Sequence, residues 1–98
     1  SAASDVYKRQ CTIIEKMGSA PRSIGTQMLV TSDNRMIGTI GGGCAEAEVI
    51  TRCRGYFAEM RKGIHGICEI VKIQMSTDNV EEEGMVCGGR IEVLLEET

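Results

Sequence analysis

Three short stretches of this chain hold the residues best suited to chemistry, and each is built around glycine. They are Gly18-Ser19-Ala20-Pro21-Arg22, Gly38-Thr39-Ile40-Gly41-Gly42-Gly43-Cys44-Ala45-Glu46 and Gly84-Met85-Val86-Cys87-Gly88-Gly89-Arg90. In the second, an apolar run ends in three glycines and an amphipathic segment follows, which reads as strand, tight turn and helix N-terminus. Adjacent glycines are costly to order, because each loses more backbone freedom than any other residue. Geometry justifies them: positive φ angles, or a backbone that something approaches closely. The first N–H groups of a helix lack intrahelical partners and carry partial positive charge, so Gly41, Gly42 and Gly43 can offer donors to a phosphate or another anion. A turn that only packs a strand tightly against a helix needs the same glycines.

Cys44 falls at the first helical position, where the dipole favours a thiolate. A thiolate there is a soft ligand or nucleophile, suited to a metal–sulfur centre or to sulfur transfer; a small buried cysteine at a helix start is the alternative. Cys87, followed by Gly88 and Gly89, invites the same reasoning. These two cysteines are the candidates for catalysis and for metal ligation, and no catalytic residue is assigned beyond them. They lie 43 positions apart, so a shared site requires a tertiary contact. Arg22, behind Pro21 in a stiffened loop, can pair with phosphate bidentately or stand exposed. Ser19 can donate to the same anion or stabilise its turn. Glu46 suits a first helical turn on its own account, yet beside an anion it repels unless it meets a metal or an N–H donor of the ligand. His65 is the single histidine and reads as a loop residue without an acid–nucleophile constellation around it.

The elements that must position these residues follow from pattern. Residues 1–10 carry no clear periodicity and are left as a poorly defined segment. Cys11–Met17 is rich in β-branched residues and reads as a strand, 18–25 as a loop, 26–32 as a second strand and 36–40 as a third, joined to the second by a short turn at 33–35. From Cys44 to Lys62, Val49, Ile50, Cys53, Phe57 and Met60 recur on one helical stripe. Glu46 and Glu48 near its start and Arg61 and Lys62 near its end complement the helix dipole. Glu48 and Arg52 form an i, i+4 pair, and Gly63 suits a C-cap. Gly55, costly inside a helix, marks close packing against a neighbour. Residues 67–75 read as a strand apolar on both faces, 76–84 as an acidic solvated loop, and 90–97 as a strand with one buried face. The fold expected is α+β: about five strands in a mixed or antiparallel sheet, with one long helix, about 44–62, on one face. Strands apolar on both faces call for a second cover, which points to a homodimer or a partner surface.

With 98 residues the chain makes one domain, placed at 11–98, and 42% apolar with 26% charged residues marks it as globular rather than disordered. A net charge of −3 and the lack of a basic stripe argue against nucleic acid. No apolar run approaches the roughly 18 residues of a membrane span and no signal-peptide pattern opens the chain, so a cytoplasmic protein is expected. Five cysteines without C-x-x-C spacing do not suggest a disulfide framework or a zinc finger, and Cys11, Cys53 and Cys68 are expected as small buried hydrophobes. The glycine turn is not a dinucleotide fingerprint: it lacks G-x-G-x-x-G and follows a hairpin rather than opening a βαβ unit.

Taken in order, residues 18–22, 38–46 and 84–93 resemble the XdhC/CoxI family, the maturation factors of xanthine dehydrogenase, carbon monoxide dehydrogenase and related molybdenum hydroxylases. The resemblance runs from about Cys11 to Glu97. It implies binding of the molybdenum cofactor (molybdopterin), transient rather than tight, with protection of the cofactor, help in its sulfuration and delivery to an apo-hydroxylase. It places Ser19, Arg22, Gly41, Gly42, Gly43, Cys44, Glu46, Cys87, Gly88 and Gly89 at the site. Typical members continue into a Rossmann-type domain, whereas this chain stops at Thr98 and resembles their N-terminal domain alone. A Rossmann-domain subunit or a sulfurtransferase is therefore a further expected partner. The expectation is a cofactor-binding chaperone rather than an enzyme. A thiol-dependent sulfur-transfer or redox enzyme using Cys44 or Cys87, and a structural subunit of a split protein, stand as the alternatives.

Overall fold

Alternation of period two builds the sheet. A computed structural model of the chain describes residues 6–18, 22–41, 43–75 and 89–98. Five strands, β1 (Lys8–Met17), β2 (Gln27–Thr31), β3 (Met36–Gly38), β4 (Glu69–Met75) and β5 (Gly89–Glu97), form one sheet in the order β3-β2-β1-β5-β4. Every pairing is antiparallel. Cys11 stands opposite Met28 and Leu95, Ile13 opposite Val93, and Val93 and Ile91 opposite Val71 and Ile73. Residues paired across strands share a face, so this register gathers the buried side chains onto one side.

The chain's one described helix, α1 (Gly43–Arg61), contributes to the same core. Ala45, Val49, Cys53, Phe57 and Met60 are buried in the same cluster as Cys11, Ile13, Met28, Val30, Val71, Ile73, Ile91, Val93 and Leu95, with Ile50 packed beside them. Gly63 ends the helix as expected. It takes φ 94°, its N–H bonds to Met60 O at 3.0 Å and the N–H of Ile64 to Glu59 O at 3.0 Å, which is the Schellman pattern. Arg52 meets Glu48 at 3.2 Å and reaches on to Glu69 of β4 at 3.3 Å.

Three expectations change. β1 starts at Lys8, three residues inside the segment left undefined, because Arg9 occupies an inward position and disguises the alternation that Cys11 and Ile13 continue. Cys68 is exposed rather than buried. Gly55 does not mark close packing: a Cβ built there meets nothing within 4 Å. Gly55→Ala is accordingly expected to stabilise the protein by about 1 kcal/mol, the helix-propensity difference, seen as a higher midpoint in urea unfolding. A destabilised Gly55→Ala protein would show that the helix needs glycine for a neighbour not yet identified.

The sheet's other face carries Leu29, Leu94, Ile37 and Ile70 among Thr12, Gln27, Glu92 and Glu96. Ile37 is 61% exposed and Ile70 51%. The doubly apolar reading of β4 thus resolves into Val71 and Ile73 inward and Ile70 outward.

Candidate glycine-rich site at one end of the sheet

Because the sheet is antiparallel, the ends of β1, β3 and β4 and the starts of β2 and β5 fall at the same end. Met17 pairs with Arg90, and Met75 with Gly89, so the loops following Gly18 and preceding Gly89 leave from adjacent positions. Two contacts fix the direction of α1 over β1. Cys53 Sγ lies 3.9 Å from Cys11 Sγ, and the Arg9 guanidinium sits 4.3 Å from the centre of the Tyr56 ring. Higher numbers on the helix therefore match lower numbers on the strand, and the helix N-terminus points toward Met17. From Cys53 back to Gly43 is about 15 Å of helix; from Cys11 on to Lys16 is about 17 Å of strand. The start of α1 comes level with the end of β1 and the start of β5. The described parts of the glycine motifs, Gly18, the turn from Gly38 to Gly41, Gly43, and Gly89 with Arg90, stand at this end.

Local geometry explains the second motif. Gly38 closes β3 with φ 88°, and Gly41 and Gly43 have φ 129° and 61°, values that L side chains rarely adopt. Thr39 holds the turn: its hydroxyl accepts from the Gly41 N–H at 3.1 Å and donates to the Glu46 carboxylate. Glu46 is thereby committed to the turn itself, and one glycine amide is satisfied internally. Both facts favour a structural share in the motif. Arg22 is exposed in its loop, and Gly89 is buried in the ladder beside Met75. Ser19, Gly42, Cys87 and Gly88 lie outside the described residues, as does the side chain of Cys44.

The structure adds a residue that the sequence reading quoted without assigning. Arg90, the second residue of β5, stands at an outward register position between Met17 and Gln74. With Met17, Gly18 and Gln74 it lines a groove of about 280 Å³, and its Nη2 rests 3.0 Å from Met17 Sδ. Its neighbour Ile91 points inward, and that alternation was the available signal. The exposed Arg90 guanidinium, on the sheet face away from α1, is a group suited to pairing with an anion at this end of the sheet. Among the described residues there is no group of three or more His, Cys, Asp or Glu able to hold a metal ion.

At the opposite end His65 does meet an acid. Its Nδ1 lies 2.8 Å from Glu97 Oε2, and the Gly66 N–H donates to Glu97 Oε1 at 2.6 Å. The Gly66 amide, and next His65, hold the Glu97 carboxyl below its ordinary value of 4.5. A carboxyl with a depressed folded pKa stabilises the fold above the unfolded value and loses that contribution as pH falls through the depressed one. Glu97→Gln should therefore be less stable than the native chain near neutrality, with the gap narrowing below about pH 4.5, as followed by urea unfolding at stepped pH. A gap independent of pH would remove the carboxylate from the account.

An α+β module of five antiparallel strands and one helix, with a glycine turn at the helix start, is thus the class of protein in hand. A profile of the XdhC and CoxI family matches residues 10–67. The chain belongs to this family. It is 33% identical over 84 residues to the uncharacterized protein YqeB of Escherichia coli K12, covering 85% of this chain and 14% of that protein. It also resembles a crystal structure described as a xanthine dehydrogenase from Bacillus halodurans, with TM-score 0.72 and 26% identity over 98% of this chain and 27% of that one. The chain therefore spans a small part of the length of either relative. No helix among the described residues is long and apolar enough to cross a membrane.

Proposed function

We propose that this chain is a cofactor-handling module in the maturation of molybdenum hydroxylases, binding the molybdenum cofactor as cargo and assisting its sulfuration or its insertion into the apo-enzyme. The observation that supports this reading is that Gly18, the Gly38–Gly41 turn, the start of α1 and the Gly89-Arg90 start of β5 lie at one end of the sheet. Charge supports the fit, since a phosphate-bearing pterin is anionic, and Arg90, Arg22 and the helix N-terminus are its complements. The cofactor brings its own metal and sulfur chemistry; the chain's residues bind and orient it. Cys44 belongs to this end, and Cys87 lies two residues before Gly89, so a thiol from either is the group that would meet sulfur in a transfer step. The partners in this reading are the apo-hydroxylase, a Rossmann-domain or sulfurtransferase protein, and a second copy of the chain, acting in the cytoplasm.

Anaerobic gel filtration of the chain with molybdenum cofactor should give co-elution near one to one, and failure to retain any cofactor would sink the proposal. Cys44→Ser and Cys87→Ser divide the roles. Loss of hydroxylase sulfuration with cofactor binding intact assigns the thiol to transfer, and full activation by both variants confines the module to binding. The Thr39–Glu46–Gly41 contacts favour a second reading, in which the glycines only shape the turn. It predicts that Gly41→Ala costs stability and leaves cofactor affinity unchanged.

A further inference from the structure

Away from the glycine-rich end, the core contains an unusual group. Cys11 of the central strand and Cys53 of the helix are both fully buried, with their sulfurs 3.9 Å apart and in hydrogen-bonding contact. Beside them Arg9 is fully buried as well. Its Nη1 donates to the carbonyls of Ile67 and Leu95 and its guanidinium lies over the Tyr56 ring, but Nε and Nη2 have no hydrogen-bond partner among the described residues. A buried cation normally has an anion with it, since desolvation of an uncompensated charge is expensive. The Glu97 carboxylate, opposite Arg9 in the β1–β5 register, supplies part of that charge, and the two thiols stand as a further acceptor of the guanidinium's field.

We propose that Cys11 and Cys53 form a peroxide-sensitive thiol pair that closes to a disulfide joining β1 to α1. A disulfide needs the sulfurs at about 2.05 Å, so the pair must close by about 1.9 Å, a displacement shared between one helix and one strand. Cys53 is the nucleophile. Its hydrogen-bonding contact with Cys11 and the Arg9 charge lower its pKa, whereas the same contact and burial raise that of Cys11. The Cys53 thiolate attacks one peroxide oxygen, the O–O bond breaks, and water leaves once the departing hydroxide is protonated. The resulting sulfenic acid is attacked by the Cys11 sulfur, which gives up its proton as the S–O bond breaks and a second water departs. The balance is two thiols and one hydrogen peroxide to one disulfide and two waters. Peroxide is close to water in size and reaches the pair through the local openings that admit solvent to helices. The cross-link ties the helix that carries the glycine turn to the middle of the sheet. This inference does not rest on the cofactor reading.

The test uses the full chain, reduced and then exposed to a few equivalents of hydrogen peroxide, unfolded in the presence of N-ethylmaleimide and mapped by peptide mass spectrometry. The expected product joins the peptides containing Cys11 and Cys53, is lighter by two hydrogens and is reversed by dithiothreitol. It should form before the exposed Cys68 is consumed. In Cys11→Ala the reaction should stop at a Cys53 sulfenic acid that dimedone traps. Alkylation of both Cys11 and Cys53 after Cys68 has oxidised would overturn the proposal, as would a Cys53 sulfinate without cross-link in the native chain. A cross-link that forms only in urea would do the same.

Discussion

Gly38→Ala is expected to cost about 3 kcal/mol in urea unfolding, from two penalties that add. The backbone at Gly38 has φ 88°, where a Cβ costs roughly 1–2 kcal/mol. A Cβ built there lies 2.8 Å from the carbonyl oxygen of Gln27 on the paired strand. That neighbour is backbone held in the β2–β3 ladder, so it yields only by opening the hairpin, a further 1–3 kcal/mol or so of overpacking. Gly25→Ala separates the two penalties. Gly25 has φ 96° but nothing within 4 Å of its Cβ position, so it should show the conformational part alone, about 1–2 kcal/mol. If the two substitutions cost the same, the close approach at Gly38 is not real. The consequence reaches past stability, because Gly38 hands the chain from the edge strand to the turn that starts α1. A hairpin opened there should also lose the Thr39–Glu46 contact, and with it the order of the turn.

Much of this architecture was legible because its signals are periodic. The helical stripe from Val49 to Met60, the Gly63 cap and the Glu48–Arg52 pair all stand where spacing placed them, and the last strand buries Ile91, Val93 and Leu95 on one face. What spacing did not convey was tertiary in origin. The inward Arg9 is tolerated only because two carbonyls and the Tyr56 ring receive it, and those partners come from sequence positions 67, 95 and 56. The register shift between Ile13 and Glu15 moves the inward set from odd to even residues, so that Lys16 rather than Glu15 faces with Ile91, and no local pattern announces it. The Cys11–Cys53 contact and the His65–Glu97 pair span 42 and 32 positions and arise from how helix and loop lie on the sheet. The candidate site divides in the same way. Its glycines and cysteines were read from composition and order, whereas Arg90 gains its meaning from the sheet end that it shares with the start of α1.

That placement gives Arg90→Glu the largest functional effect expected of a single surface substitution in this chain. A charge-assisted hydrogen bond from a guanidinium to a phosphate is worth about 1.5–3 kcal/mol, which is roughly tenfold to a hundredfold in affinity, and reversal of the sign adds repulsion to the loss. The fold should tolerate the change, since the contact Arg90 makes is to the Met17 sulfur at the rim of the groove, and exposed substitutions of this kind usually move stability by about 0.5 kcal/mol or less. Affinity for molybdenum cofactor, measured anaerobically, should therefore fall at least about tenfold while the urea midpoint stays nearly fixed. Arg90→Lys keeps the charge without the planar fork and should fall between the two. The same series against inorganic phosphate tells whether the arginine reads the phosphate or another part of the ligand: a matching decline assigns the phosphate, and a flat response assigns the pterin. Native affinity in Arg90→Glu would move the anion-binding surface off the start of β5 and leave the N-terminus of α1 with Arg22 as its remaining complements.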